Sequence, residues 1–237
     1  MTVAATHGEV LAAPALPGVQ PSREVPRVLA RQTPNDFYRQ GAAQRRHGKR
    51  VTLREMVQTA RQAAHAAAED TLIELEVVAP PARAGRYLGA DALEELSVDF
   101  HVNELRLTVR GTADPEEART AELPAEVVEK TRMMPAVHLE RFARGTRVNL
   151  KRERRVADPT GETRRAVREA PLGTYAWRAK RRRSHPVPDH PAFRVDVTEV
   201  TESNGITRTE VEMECLAPAE VTDEAVIAAM RAAGLSG

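Results

Sequence analysis

Residues 207–216 read TRTEVEMECL, with Glu210, Glu212 and Glu214 alternating with Val211, Met213 and Cys215. A period of two is that of a β-strand, whose successive side chains point to opposite faces. The segment therefore predicts a strand with three carboxylates on one face and an apolar stripe on the other. Neighbouring carboxylates on such a face stand about 7 Å apart, and each pair repels by about 1–2 kcal/mol in a partly screened setting. A row of like charges this costly points to something positive in front of it.

The same alternation recurs upstream. Further strands are expected at TLIELEVVA (71–79), LSVDFHV (96–102), ELRLTVRG (104–111), MPAVHLERF (134–142), TRVNLKRERRV (146–156), TYAWRAKRRRS (174–184) and AFRVDVTEV (192–200). Turn signals such as VADPTGE, HPVPDHP and ESNG separate many of them. Helices are predicted over 52–70, where Thr52 precedes Glu55 in a capping-box spacing, over 115–130, and over 222–234. Residues 1–50 read as a flexible tail and basic approach segment, and 51–237 as the folded domain. About eight antiparallel strands in one chain imply a closed barrel or a sandwich.

Composition removes several classes. The 237 residues carry a net charge of only +1, so overall charge names no partner. One cysteine, Cys215, excludes a disulfide framework within the chain and fits a reducing compartment. No apolar run approaches the roughly 20 residues of a membrane helix, and the first residues lack a signal-peptide pattern, so a soluble intracellular protein is expected. Aromatic residues amount to 3%, too few for a platform that stacks single-stranded bases. His101, His138, His185 and His190 lack metal-ligand spacing and are expected on the surface or in loops.

The faces of the strands say more than their number. On 71–79 and 206–216 one face carries Glu74, Glu76, Glu210, Glu212 and Glu214, with Arg208 as the single base. On 104–111, 146–156 and 174–184 the charged face carries Arg106, Arg110, Arg147, Lys151, Arg178, Lys180 and Arg182. An ordinary solvated face mixes signs, because opposite charges pair across strands and like charges cost stability. Segregated signs fit faces that converge on a divalent cation held by carboxylates and a multiply charged anion held by Lys and Arg. The helices at 52–70 and 222–234 are then available to cover the apolar exterior.

The ordered set IELEV, RAKRRRS, FRVDVTEV and EVEME resembles the metal-dependent RNA 5′-triphosphatases of mRNA capping found in fungi, protozoa and large DNA viruses, a branch of the triphosphate tunnel metalloenzymes. The likeness spans residues 71–216. It implies a mainly β (α+β) fold, an eight-stranded antiparallel β-barrel tunnel with a charged lumen flanked by helices. It implies Mg²⁺ or Mn²⁺ held by Glu74, Glu76 and Glu214, with Glu210 supporting the cluster and Glu212 orienting or deprotonating the attacking water. By the same resemblance Arg178, Lys180 and Arg182 match the family's basic strand, with Lys180 and Arg182 the best candidates to grip the γ-phosphate. Lys151 and Arg106 stand on the opposite wall with Arg110 and Arg147, and Arg194 and Asp196 match the family's RxD pair. Val78 stands where the adenylate-cyclase and thiamine-triphosphatase branch has lysine, which favours the capping branch. The extra cations Arg181 and Arg183 leave the register of the basic strand open by one. The implied activity removes the γ-phosphate of a 5′-triphosphate RNA end, in the nucleus or a viral factory, beside a guanylyltransferase. Two other readings stand: a tunnel triphosphatase for tripolyphosphate or nucleoside triphosphates, and a non-catalytic barrel that binds polyanions or RNA.

Overall fold

The computed structural model describes residues 51–87, 92–140, 144–158 and 160–236. The expected tail and approach segment at 1–50 lie outside these residues. Nine strands are present: β1 Thr71–Ala79, β2 Leu93–Val102, β3 Leu105–Arg110, β4 Ala125–Arg132, β5 Val137–His138, β6 Arg147–Arg155, β7 Ala176–Pro186, β8 Phe193–Glu202 and β9 Thr207–Cys215. Helices are α1 Leu53–Ala66, α2 Pro115–Thr120, α3 Glu162–Glu169 and α4 Asp223–Ala232, with a 3₁₀ turn at Pro81–Arg86.

The strands run in the order β1-β9-β8-β7-β2-β3-β4-β6, and β6 pairs back onto β1, so eight antiparallel strands close a barrel. Closure leaves the ring without a free edge. β5 stands outside the ring and pairs only with β6, through Val137 opposite Val148 and His138 opposite Arg147. Two tight hairpins serve the ring: Asn103 turns β2 into β3 at φ 56°, and Gly205 turns β8 into β9 at φ 80°.

Alternation on each strand sorts side chains into a charged lumen and an apolar exterior. Outward residues of β1, β6, β8 and β9, including Leu75, Leu150, Val195 and Met213, form one apolar layer covered by α1 and α4. The α1 helix opens on a complete capping box, with the Glu55 amide donating to Thr52 Oγ1 at 3.2 Å and the Thr52 amide to Glu55 Oε2 at 2.9 Å. It buries Met56, Val57 and Ala60, while α4 buries Val226, Ala229 and Met230. A second layer, with Val98, Phe100, Leu107 and Val127, is covered by Ala118 of α2 and Val167 of α3. The barrel is thus inverted: its hydrophobic cores lie outside it. No helix among the described residues is long and apolar enough to cross a membrane.

The helix expected over 115–130 stops at Thr120, and the strand expected over 134–142 shrinks to two residues. The ring strand is β4, within the expected helix, because Pro124 ends helical continuity and Val127 and Val128 reward pairing with β3 and β6. Helix α3 falls between two expected strands, where the sequence reading assigns only the turn VADPTGE.

Candidate active site in the barrel lumen

Register fixes which side chains meet. Glu76 of β1 stands opposite Glu214 of β9 on one side and Asn149 of β6 on the other. Glu74 stands opposite Lys151, Glu214 opposite Arg194, Glu212 opposite Asp196, and Glu210 opposite Thr198. Directly opposed residues share a face, so Glu74, Glu76, Glu210, Glu212 and Glu214 all point inward. The register of β7 puts Arg178, Lys180 and Arg182 on the lumen face, opposite Asp99, Ser97 and Glu95 of β2. Trp177 and Ala179 pack outward against the second apolar layer. Arg106 enters from β3 and Lys151 from β6.

The charges are paired, more than the segregated strands imply. Arg106 donates to Glu153 at 2.8 Å, Arg178 to Glu210 at 2.6 Å and Arg194 to Glu214 at 2.6 Å. Lys151 is ion-paired with Glu76, which also accepts from Asn149 Nδ2 at 2.8 Å. Asp196 lies 3.8 Å from Arg182 and 3.3 Å from Arg194, and accepts from Ser184 Oγ at 2.7 Å. Arg110 is about half exposed and bridges Glu95 and Glu126 at one mouth. Arg147 lies near the opposite end of β6 and has no acidic partner among the described residues.

Three contributors are additional to the expected set. Lys130 of β4 bridges Glu74 and Glu153. Asp99, 1% exposed, is ion-paired with Lys180, lies 3.9 Å from Arg106, and accepts from Thr108 Oγ1 at 2.8 Å. Glu153 completes the link to Arg106. Lys130 was masked by the helical reading of its segment; Asp99 alternates with Val98 and Phe100 and was legible as an inward residue. His101 and His185 also depart from the surface or loop expectation. His101 faces the lumen opposite Arg106, and His185 is buried on β7 against the Tyr87 ring, centroids 5.2 Å apart.

Burial and neighbours set the protonation of this interior. Burial pushes the Glu76 carboxyl up, but Lys151 and Lys130 outweigh it and hold it below the usual range. Burial also raises Glu212, and here Glu76 and Glu210 add to the rise. Glu212 makes no hydrogen bond or ion pair among the described residues. Glu214 is likewise raised, first by burial, against the opposing Arg194. Burial lowers Lys180 to about 8, against the opposing Asp99 and with Arg106, Arg178 and Arg182 adding to the fall. Burial, with Arg178, Arg106 and Lys180 adding to it against Asp99, brings His101 down to about 4.

The donor set tests the implied cation. Carboxylate oxygens from β1 and β9 suit a hard divalent ion, and Glu212, partnerless and harder to ionise than usual, is a carboxylate that a cation would relieve. Among the described residues, no three acidic, histidine or cysteine side chains are already arranged as a metal shell. Instead Lys130, Lys151 and Arg194 hold Glu74, Glu76 and Glu214. The residues fit such an ion by chemistry and register, and loading it requires those cations to let go.

Fold and lumen together define a class: a closed antiparallel tunnel with a charged interior, the carboxylates of β1 and β9 facing it from one side and the Lys and Arg of β7 from another. The chain is similar to the solved mimivirus capping enzyme triphosphatase, with TM-score 0.47 and 12% identity over 76% of this chain and 93% of that one. It is similar also to the S. pombe Pct1 RNA triphosphatase, with TM-score 0.44 and 14% identity over 76% and 87% of the respective chains. No family profile and no curated protein sequence matches the chain. Identities this low leave the roles of side chains to be argued from the lumen itself.

Proposed function

We propose that the protein is a metal-dependent phosphohydrolase that removes the γ-phosphate from 5′-triphosphate RNA ends. The observation that carries this reading is Glu212, without a hydrogen-bond or ion-pair partner among the described residues and set in one closed lumen with Glu76 and Glu214 and with the cationic wall of β7. A bound Mg²⁺ or Mn²⁺, held by Glu74, Glu76 and Glu214, would polarise a phosphoryl oxygen and neutralise charge on it. Glu212 accepts the proton of the attacking water, a task its raised proton affinity favours. Lys180 and Arg182 hold the γ-phosphoryl oxygens, where spreading charge is neutralised by groups already in place. Arg178 and Arg106 continue the cationic path, and Asp196 orients Arg182 and Arg194. Glu210 fixes Arg178, and Lys151 and Lys130 balance the acids before substrate arrives.

A purely polyanion-binding barrel is the weaker reading. It gives no reason for Glu76, Glu212 and Glu214 to share the lumen, where burial raises both Glu212 and Glu214. The test is release of γ-labelled phosphate from triphosphate-ended RNA, ATP and tripolyphosphate, with and without Mg²⁺ or Mn²⁺. Metal-dependent release, lost in Glu76→Ala and Glu212→Gln, is expected. Tight binding without release from any substrate would overturn the enzymatic reading.

A further inference from the structure

The two mouths of the tunnel differ. In an antiparallel ring, the ends of β1, β2, β4 and β8 and the starts of β3, β6, β7 and β9 share one mouth, and the reverse set shares the other. Glu214, at the end of β9, and Arg194, at the start of β8, lie toward the second mouth, where Arg110 and Arg155 are closed by Glu126. The first mouth differs. β4 ends at Arg132 and β6 begins at Arg147. Register puts Arg132 opposite Lys151, and Arg147 opposite Val78 and His138, so both side chains leave their strands from the lumen face. Among the described residues neither has an acidic partner, in contrast to the paired cations deeper in the lumen. The start of β3 and the end of β2 bring His101 and Arg106 to the same mouth, and the His101 Nε2 is buried without a hydrogen-bond partner.

We propose that the RNA strand leaves the tunnel by this first mouth, with Arg132 and Arg147 taking the backbone phosphates that follow the triphosphate. The inference rests on the triphosphatase reading and gives it a direction. A γ-phosphoryl group held between Arg182 and Glu212 lies toward the Glu214 end, so the rest of the strand continues past Arg178 and His101 to the unpaired guanidiniums. No Phe, Tyr or Trp among the described strand residues faces the lumen, so phosphates rather than bases are read, and recognition is independent of sequence. A nucleotide ends before this contact, and a short RNA reaches it.

The experiment compares a ten-nucleotide triphosphate-ended RNA with inorganic tripolyphosphate, using wild type, R132A/R147A and, as a control at the other mouth, R155A. KM for RNA is expected to rise about tenfold more than KM for tripolyphosphate in R132A/R147A, with R155A like wild type. The slope of log KM against log salt for RNA should fall by roughly 1.4, at about 0.7 per single-strand phosphate contact. An equal rise for both substrates would assign the two arginines to the triphosphate and overturn the proposal. So would an unchanged KM for RNA, or a rise in R155A alone. If wild type releases phosphate from nothing, the triphosphatase reading fails by itself. Fluorescence anisotropy of the labelled RNA then decides the exit path: binding weakened in R132A/R147A and not in R155A supports it, and any other pattern refutes it.

Discussion

Asp99→Asn should damage this fold far more than its size suggests. The side chain is 1% exposed and serves as counter-ion to Lys180, with Arg106 at 3.9 Å. Asparagine keeps the shape, and its oxygen can still accept from Thr108, so the change removes charge and little else. Arg106 retains Glu153, but Lys180 is left among Arg106, Arg178 and Arg182 without its carboxylate. Attraction between unit charges about 4 Å apart at an effective dielectric of 20 is about 4 kcal/mol. Removing one partner of a buried pair costs about 3–5 kcal/mol. Lys180, held only at about 8 with Asp99 present, can shed its proton in the variant and escape part of this cost. A loss of about 2 kcal/mol is therefore expected, lowering Tm by roughly 6 °C for a domain of this size. Urea denaturation at neutral pH measures it. The cycle through Lys180→Met and the double variant isolates the cause: D99N/K180M should recover most of the loss, because no buried charge remains unpaired. A loss below about 1 kcal/mol for D99N, or a double variant as unstable as the sum of the two, would refute the reasoning.

Other outcomes follow from the same interior. Glu212→Gln should leave stability unchanged or slightly higher, since the carboxylate has no partner to lose, while kcat falls by about 10²–10⁴-fold; denaturation and single-turnover release read both. Lys180 carries its charge below about pH 8 and loses it above, so activity should fall on the alkaline side near that pH, and Lys180→Arg should push this limb upward. His101 titrates at about 4 in the folded chain against 6.5 unfolded, so the unfolded state binds the proton first. Stability should therefore fall as pH drops from 6.5 toward 4, by up to about 3 kcal/mol, and a His101→Gln variant should lose that slope. Mn²⁺ at a hundred times its Kd should stabilise the protein by about 2.7 kcal/mol, and Glu76→Gln should abolish the gain, as seen by calorimetry.

Much of the barrel is written in the two-residue alternation of its strands. Val211, Met213 and Cys215 set against the glutamates of β9, and Phe193, Val195 and Val197 set against Arg194 and Asp196, state both the strand and its inward face. β4 escaped because 115–130 is rich in Ala and Glu, good helix formers, and the pairing that overrides them comes from strands distant in sequence. With β4 went Lys130, and with it the bridge between Glu74 and Glu153. Helix α3 escaped for a plainer reason: only Val167 of its eight residues is buried, so its apolar stripe is a single side chain. Segregation of charge was legible strand by strand, but neutralisation was not. It depends on Asp99, which β2 carries beside β7 and β3, and on Glu153, which β6 sets opposite Lys130 of β4, and none of these pairings is written in a single strand.

Cys215 is the chain's one thiol, 4% exposed and one residue from Glu214, and burial pushes it up to about 11. Alkylating reagents need thiolate and access, so the folded protein should react slowly and each labelling event should register an opening of β9. The strand that presents Glu210, Glu212 and Glu214 thus carries its own built-in probe, and slower labelling on addition of Mn²⁺ or tripolyphosphate would time how firmly a ligand clamps the lumen shut.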